Sequence, residues 1–472
     1  MSFVLSKAVN PPTTFLAHFS ELSDRFDPEM VLFRRKTHNF KYPVSRLRVF
    51  FHEPPQYGAG ERGMERETIN QPRYVRITDI DEYGILHDVL GATAATIEPR
   101  YLLEEDDLLL ARSGNTVGKS YLHKTAHVSY PCFFAGYLIR FRFDTSRILP
   151  DYIFALTQLP YYKEWVQAVQ RAAGQPNINA GEYSNLQIPI PPMRVQKTII
   201  ERLKMAYDTK RTKERQAYNF LEKVDRLLLA GLGITPKSVP PNTIENRIFN
   251  RPFSEVTGGR FDAASHWKRL DLSSDRYPSV KLTDVVFINP PTRFKDVKDD
   301  DSISFVPMDT ISEIYGEIDL AHTRPVCESG AYTTFQEGDI IWAKITPCME
   351  NGKSAIAENL TDGYGFGSTE FHVFRLKNSK IRVQYLHTLL RLAVVRDHAR
   401  LFFGGTAGHQ RVDEGFFKRL EVPLPPLIIQ DKLIKTITKY KNEARRLVTE
   451  AGDGVRKAKE AIEAMILGKG DK

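Results

Sequence analysis

Cysteine is nearly absent: Cys132, Cys327 and Cys348 are the whole set in 472 residues, and no two stand at a close paired spacing. That scarcity excludes a disulfide framework or a cysteine-based zinc site and leaves buried thiols as the expectation. Long apolar runs are missing too. No stretch approaches the roughly 18 consecutive apolar residues of a membrane span. Met1 to Phe15 lacks the basic and continuously apolar regions of a signal peptide, so a cytoplasmic protein with no membrane partner is expected. An acidic excess is absent as well: 66 Lys and Arg face 58 Asp and Glu, a formal charge of +8, which fits a polyanionic partner. With 42% hydrophobic and 26% charged residues and a mean hydropathy of -0.35, the composition is that of an ordinary globular chain. At 472 residues it is too long for one ordinary core, and two or three domains are expected.

What is present is a repeat. Leu186-Gln-Ile-Pro-Ile-Pro-Pro192 returns as Leu420-Glu-Val-Pro-Leu-Pro-Pro426 at an offset of 234, which Gln196 and Gln430 share. Arg25-Phe26-Asp27 returns as Arg260-Phe261-Asp262, and Asp107-Leu-Leu-Leu-Ala-Arg112 as Asp339-Ile-Ile-Trp-Ala-Lys344, at offsets of 235 and 232. Each half therefore reads as a mixed domain, closed by a proline phrase and followed by a helix. Short β-rich runs such as Tyr137 to Phe143 and Phe371 to Leu376 lie between Gly, Asn and Pro turns. Helical periodicity covers Tyr152 to Val169 and Val383 to Phe402. The fold class expected is α+β.

After each proline phrase a long helix is expected, from about Val195 to Ala230 and from about Ile429 to Leu467. Ile199, Leu203, Ala206, Ala217, Phe220, Val224 and Leu227 stripe the first; Ile437, Tyr440, Ala444, Leu447, Ala451, Ala458 and Ile462 fall near a heptad seam in the second. Each stripe needs a partner, and the repeat makes the helices natural partners for one another, although Gly452 and Gly454 weaken the second locally. Gly231 and Gly233, followed by Pro236, Pro240 and Pro241, end the first helix. The divisions expected are a domain over 1–192, a helix over 193–232, a linker over 233–249, a second domain over 250–426, and a second helix and tail over 427–472.

Three motifs mislead. Gly114-Asn-Thr-Val-Gly-Lys-Ser120 has three residues between its glycines where a phosphate-binding loop needs four. Asn289-Pro-Pro-Thr292 lacks the aromatic fourth residue with which adenine methyltransferases stack a flipped base, and reads as a turn. His123 and His127 lack the glutamate of a metalloprotease helix, so no metal is implied.

Gly338-Asp-Ile-Ile-Trp-Ala-Lys-Ile-Thr-Pro-Cys-Met-Glu-Asn-Gly-Lys353 resembles a phrase of the specificity subunits of Type I restriction-modification systems. So do Gly174-Gln-Pro-Asn-Ile-Asn179, with Ile188-Pro-Ile-Pro-Pro192 and Gln196 beyond it, and the order domain, helix, domain, helix across nearly the whole chain. The resemblance implies two similar target-recognition domains in a pseudo-twofold repeat, separated by two long antiparallel, coiled-coil-like helices. Each domain would read one part of a split double-stranded DNA target. It further implies a non-catalytic chain partnered by two methyltransferase subunits and two motor-nuclease subunits. S-adenosylmethionine, ATP and Mg would sit on those partners, with no cofactor on this chain. A helix of about 35 residues spans roughly 50 Å and would act as a ruler between half-targets.

Two loops in each half supply candidate DNA contacts. Arg112, Ser113, Asn115 and Lys119 follow an apolar strand in the first half, and Lys344, Thr346, Asn351 and Lys353 occupy the corresponding place in the second. Gln175 and Asn177 have His409, Gln410 and Arg411 as counterparts, a departure from the family's Gln-Pro-Asn that questions a shared role. Arg and Lys suit guanine O6 and N7, whereas Asn and Gln suit adenine N6 and N7. A polar solvated hairpin and a turn are the alternatives for these loops, and solvation is favoured for Lys204, Lys210, Arg211, Lys213 and Arg215 of the first helix. At the level of the whole protein the alternatives are a self-sufficient DNA methyltransferase or nuclease, and a scaffold that does not discriminate among DNA sequences.

Overall fold

The computed structural model describes residues 17, 28–36, 40–87, 89–114, 116–170, 176–235, 243–248, 250, 270–319, 322–404 and 410–467. Both copies of the Arg-Phe-Asp match lie outside them, as do Asn115, Gln175 and His409. The chain forms two compact units, Met1–Lys213 with Thr449–Lys472, and Glu214–Val448.

The first unit contains α1 (Pro28–Lys36), β1 (Val44–Arg46), β2 (Gln56–Tyr57), β3 (Met64–Glu65), β4 (Arg73–Val75), β5 (Ala92–Thr93), β6 (Leu108–Ala111), β7 (Ser120–Leu122), β8 (Cys132–Phe134), β9 (Leu138–Phe141), α2 (Pro150–Thr157), α3 (Pro160–Val169), α4 (Ala180–Ser184) and β10 (Gln187–Pro189). The long helix α5 (Met193–Leu232) follows. One sheet, ordered β2-β9-β6-β7, is antiparallel; a second, β3-β5-β4-β8, contains the parallel pair β4–β8. Strands β6 and β9 are buried along their whole length, the first as an unbroken apolar run and the second with Arg140 buried between Ile139 and Phe141. The helix expected over Tyr152 to Val169 is two helices, because Pro160 cannot continue the first and instead opens the second.

The second unit repeats the plan with α6 (Ile244–Arg247), β11 (Ser279–Lys281), α7 (Leu282–Val285), β12 (Val286–Ile288), β13 (Ser302–Val306), β14 (His322–Pro325), β15 (Thr333–Gln336), β16 (Ile340–Ala343), β17 (Ser354–Ile356), β18 (Tyr364–Gly367) and β19 (Phe371–Leu376). Then come α8 (Val383–Arg391), α9 (Ala393–Ala399), β20 (Phe403–Gly404), β21 (Arg411–Val412), α10 (Glu414–Arg419), β22 (Glu421–Pro423) and α11 (Leu427–Ile466). Sheet β12-β19-β16-β17 copies the first unit's antiparallel sheet, and β14-β13-β18-β15 keeps a parallel pair, β13–β18, at its centre. The edges differ: β3 extends the first unit's sheet beyond β5, whereas β15 extends the second beyond β18. The periodic stretch Val383 to Phe402 breaks at Leu392, whose extended ψ of 135° separates α8 from α9.

The repeated phrases are repeated bonds. Each proline phrase forms a short antiparallel ribbon, Ile188 opposite Ser45 and Val422 opposite Val280. Gln196 accepts from the Leu149 N–H at 3.0 Å and donates to the Pro191 carbonyl at 3.0 Å. Gln430 accepts from Arg382 N–H at 2.7 Å and donates to Pro425 at 2.8 Å. Both glutamines are buried, and both meet the residue preceding a helix, α2 or α8. Tyr152 and Tyr385 donate at 2.8 Å to the carbonyls of Pro189 and Pro423. Buried Asp107 takes a two-pronged bond from Arg142, and Asp339 takes one from Arg375. Each carboxylate also accepts a backbone N–H at 2.9 Å, from Glu104 or Gln336.

Within the first unit, Ile199, Leu203 and Tyr207 of α5 share a core with Val455, Ile462 and Ile466 of α11. Within the second, Val224, Leu228 and Leu232 pack in one core with Leu433 and Ile437, and Ala217 meets Ala444 and Leu447. Partner numbers fall as α5 numbers rise, so the helices are antiparallel. Val455, rather than the expected Ala458, is the buried seam residue. Gly231, expected to end α5, lies inside it, where an added Cβ would come within 2.5 Å of Leu433 Cδ2. Gly233, at φ +67°, ends the helix, with Ile234 N–H bonded to Leu229 O and Gly233 N–H to Ala230 O. Only Cys132 of the three free cysteines is buried; Cys327 is exposed and Cys348 half-buried, a correction to the expectation of buried thiols.

Candidate nucleic-acid interface

The two candidate segments of each half, far apart in sequence, meet at one backbone junction. In the first unit β6 runs out at Ala111; Ile178 N–H then donates to Arg112 O at 2.8 Å and Gly114 N–H to Pro176 O at 3.1 Å, setting Ser113 opposite Asn177. In the second, Val412 N–H donates to Lys344 O at 2.9 Å and Thr346 N–H to Gln410 O at 3.0 Å, setting Ile345 opposite Arg411. The same pair of bonds recurs because α4 and α10 follow each segment and anchor it. Asn179 and Glu182 form a capping box at α4, and Asp413 accepts from Gly415 N–H at α10.

The side chains at the junctions differ. The Arg112 guanidinium stands 4.9 Å from the centre of the Tyr57 ring, and its Nε is buried without a hydrogen-bond partner. The Tyr57 hydroxyl in turn accepts from Ala180 N–H at 3.1 Å. Among the described residues no carboxylate forms an ion pair with Arg112. In the second unit Arg411 Nε donates to Glu370 Oε2 at 2.8 Å and Nη2 to Oε1 at 2.7 Å. Asn289 bonds Glu414 at 3.0 Å, and Glu414 pairs with Lys418, which holds the Glu414 carboxyl below its ordinary value. Beneath them His372 meets Val412 O at 2.9 Å, and burial lowers its pKa. Asn289, at φ +49°, marks a bend rather than the expected turn and also accepts from Val373 N–H at 3.0 Å, with Pro290 to Thr292 following as irregular chain.

Three of the sequence candidates point elsewhere. Lys119 Nζ donates to the Ile77 carbonyl at 3.2 Å and to that of Ile80, bracing a short turn of helix, and burial lowers its pKa. Lys353, its counterpart at an offset of 234, donates to Met308 O at 3.0 Å at the start of another such turn. Asn351 bonds Glu313 at 3.2 Å. Conversely, Tyr57 and Glu370 belong to the junctions and were missed, since each reaches them from an element that only the sheet order brings near. His123 is buried against Tyr121, and no metal-holding cluster occurs among the described residues.

A family model described as the Type I restriction modification DNA specificity domain matches residues 96–223 and, a second time, 275–450. These stretches make up well over half of the chain, and the chain belongs to that family. Over 164 residues it is 36% identical to the Type I restriction enzyme EcoEI specificity subunit of Escherichia coli, and over 168 residues 37% identical to the EcoAI specificity subunit of the same organism. These matches cover 34% and 35% of this chain but only 27% and 28% of those relatives. A chain from a solved type I R-M system, studied for its complex assembly and conformational transition, aligns over 91% of this chain and 96% of its own at a TM-score of 0.48 and 14% identity, too low a likeness to argue from. No described helix is long and apolar enough to cross a membrane.

Proposed function

We propose that this chain is the DNA-reading specificity subunit of a Type I restriction-modification complex. The observation that carries the reading is one backbone junction built twice with different polar side chains. Arg112, Ser113 and Asn177 would meet one half of a split duplex target, and Lys344, Thr346, Gln410 and Arg411 the other. Asn115, Gln175 and His409, the remaining candidates of these segments, lie outside the described residues. Dissimilar readers imply an asymmetric bipartite target, because base edges in the major groove are distinguished by donor and acceptor pattern. The chain does no chemistry itself. Two methyltransferase subunits, each flipping an adenine for N6 methylation, and two motor-nuclease subunits would bring S-adenosylmethionine, ATP and Mg in the cytoplasm.

Sequencing N6-methyladenine in host DNA with the gene intact or deleted tests this. A split motif that loses methylation on deletion is expected; an unchanged methylome overturns the reading. Methyl transfer by the purified chain alone would favour a self-sufficient enzyme. Removing whole heptads from α5 and α11 is expected to shorten the gap in the motif.

A further inference from the structure

We propose that Glu370 is a specificity-determining residue of the second reader, fixing Arg411 as a base-edge donor to guanine in a G·C pair. This rests on the DNA-reading function proposed above. Glu370 sits in the link between β18 and β19, and its carbonyl accepts from Lys344 N–H at 2.9 Å. Tyr137 holds the same place in the first unit, accepting from Arg112 N–H at 2.9 Å. The same backbone bond is therefore made by a glutamate in one junction and by a tyrosine in the other.

The carboxylate changes what a neighbouring arginine can do. Arg411 is 44% exposed and Glu370 20%, so the pair lies at the surface, joined by a fork in which Nε and Nη2 both donate. A two-pronged bond restrains the guanidinium plane, and a plane held in advance loses less freedom on meeting the O6 and N7 of guanine. The carboxylate also repels phosphate oxygens and neutralises the arginine, so the pair is a poor counterion substitute on the DNA backbone. A carboxylate also accepts from the cytosine N4 amino group, the partner of that guanine. Arg112 has no carboxylate partner among the described residues: its guanidinium lies over the Tyr57 ring and keeps its charge, so it can engage a phosphate as well as a base.

The test uses the full-length chain isolated from its host with whatever subunits accompany it. Duplexes are selected from a random library and sequenced, and binding is followed against salt. For Arg411→Ala the expected result is loss of a guanine preference at one position of one half-motif, by about 5- to 150-fold, with the other half intact and the salt dependence unchanged. For Glu370→Ala the same position relaxes while the salt dependence steepens by up to about one phosphate, since the freed arginine reaches the backbone. Glu370→Gln, nearly isosteric, is expected to relax that position without altering the melting temperature. An unchanged motif in Glu370→Gln overturns the proposal. So does a uniform loss of affinity in Arg411→Ala with a shallower salt dependence, or loss of both half-motifs in a Glu370→Gln chain that melts as wild type does. If the wild-type chain selects no motif, the DNA-reading function itself fails.

Discussion

The two units share their braces and differ in their junctions. Gln196 and Gln430, Tyr152 and Tyr385, Asp107–Arg142 and Asp339–Arg375, and Lys119 and Lys353 make nearly the same bonds at nearly the same lengths. Where the strands β6 and β16 run out, the backbone bonds persist but Arg112 and Tyr137 give way to Lys344 and Glu370. A duplicated domain can keep its interior, where an unmet polar group is costly, and vary its surface, where substitution is nearly neutral to folding.

The comparison is broken most severely at the buried carboxylates. Asp339→Ala would strand the Arg375 guanidinium and cost about 3–5 kcal/mol, whereas Asp107→Ala should cost less, because Arg142 keeps Glu104 at 3.1 Å and Glu53 at 3.4 Å. Hydrogen exchange resolved by unit should show protection lost in the mutated unit alone; equal loss in both would contradict independent frames. Leu228→Ala, at a wholly buried seam position of the second unit, is expected to cost about 2–5 kcal/mol in denaturant unfolding. Removing Gln430 or Gln196 as alanine takes the acceptor from the half-buried N–H of Arg382 or Leu149, at a cost of about 1 kcal/mol each. The two values should agree, and a large inequality would show that the braces are not equivalent.

The smallest effect is one of pH. Burial lowers Lys441 in the second unit and Lys459 in the first to about 8. Below that pH folded and unfolded chains both hold the proton, and the burial cost stands in full. Between about 8 and the ordinary lysine value near 10.5 the unfolded chain binds more protons, so these groups make stability rise with pH. Lys441→Met is expected to raise stability near neutrality and to flatten that rise in the second unit; an unchanged pH profile would count against the lowered value. Lys441 also donates to Tyr315 O at 2.8 Å, a bond the methionine gives up, so the gain should be modest.

Much of the architecture was legible because repetition and periodicity are properties of order along the chain. The offset near 234 implied two like units, and the stripes Ile199, Leu203 and Ala217 or Ile437, Ala444 and Leu447 implied long helices that bury one face against another. The break at Pro160 was also written in the chain and was passed over. Less was legible at the site. Lys119 and Lys353 read as loop cations, yet both turn inward onto backbone carbonyls, because a long side chain goes wherever an unmet acceptor lies within its reach.

By itself, then, the order of residues determined the duplication, the α+β character, the paired helices and the segments that carry the variable polar groups, since each is a local pattern. Only the tertiary structure decided that Ser113 lies opposite Asn177 and Ile345 opposite Arg411, that Arg112 stacks on Tyr57, and that Glu370 clasps Arg411. Those partners stand 41 to 66 residues apart, and their meeting follows from strand order and register, which long-range packing sets.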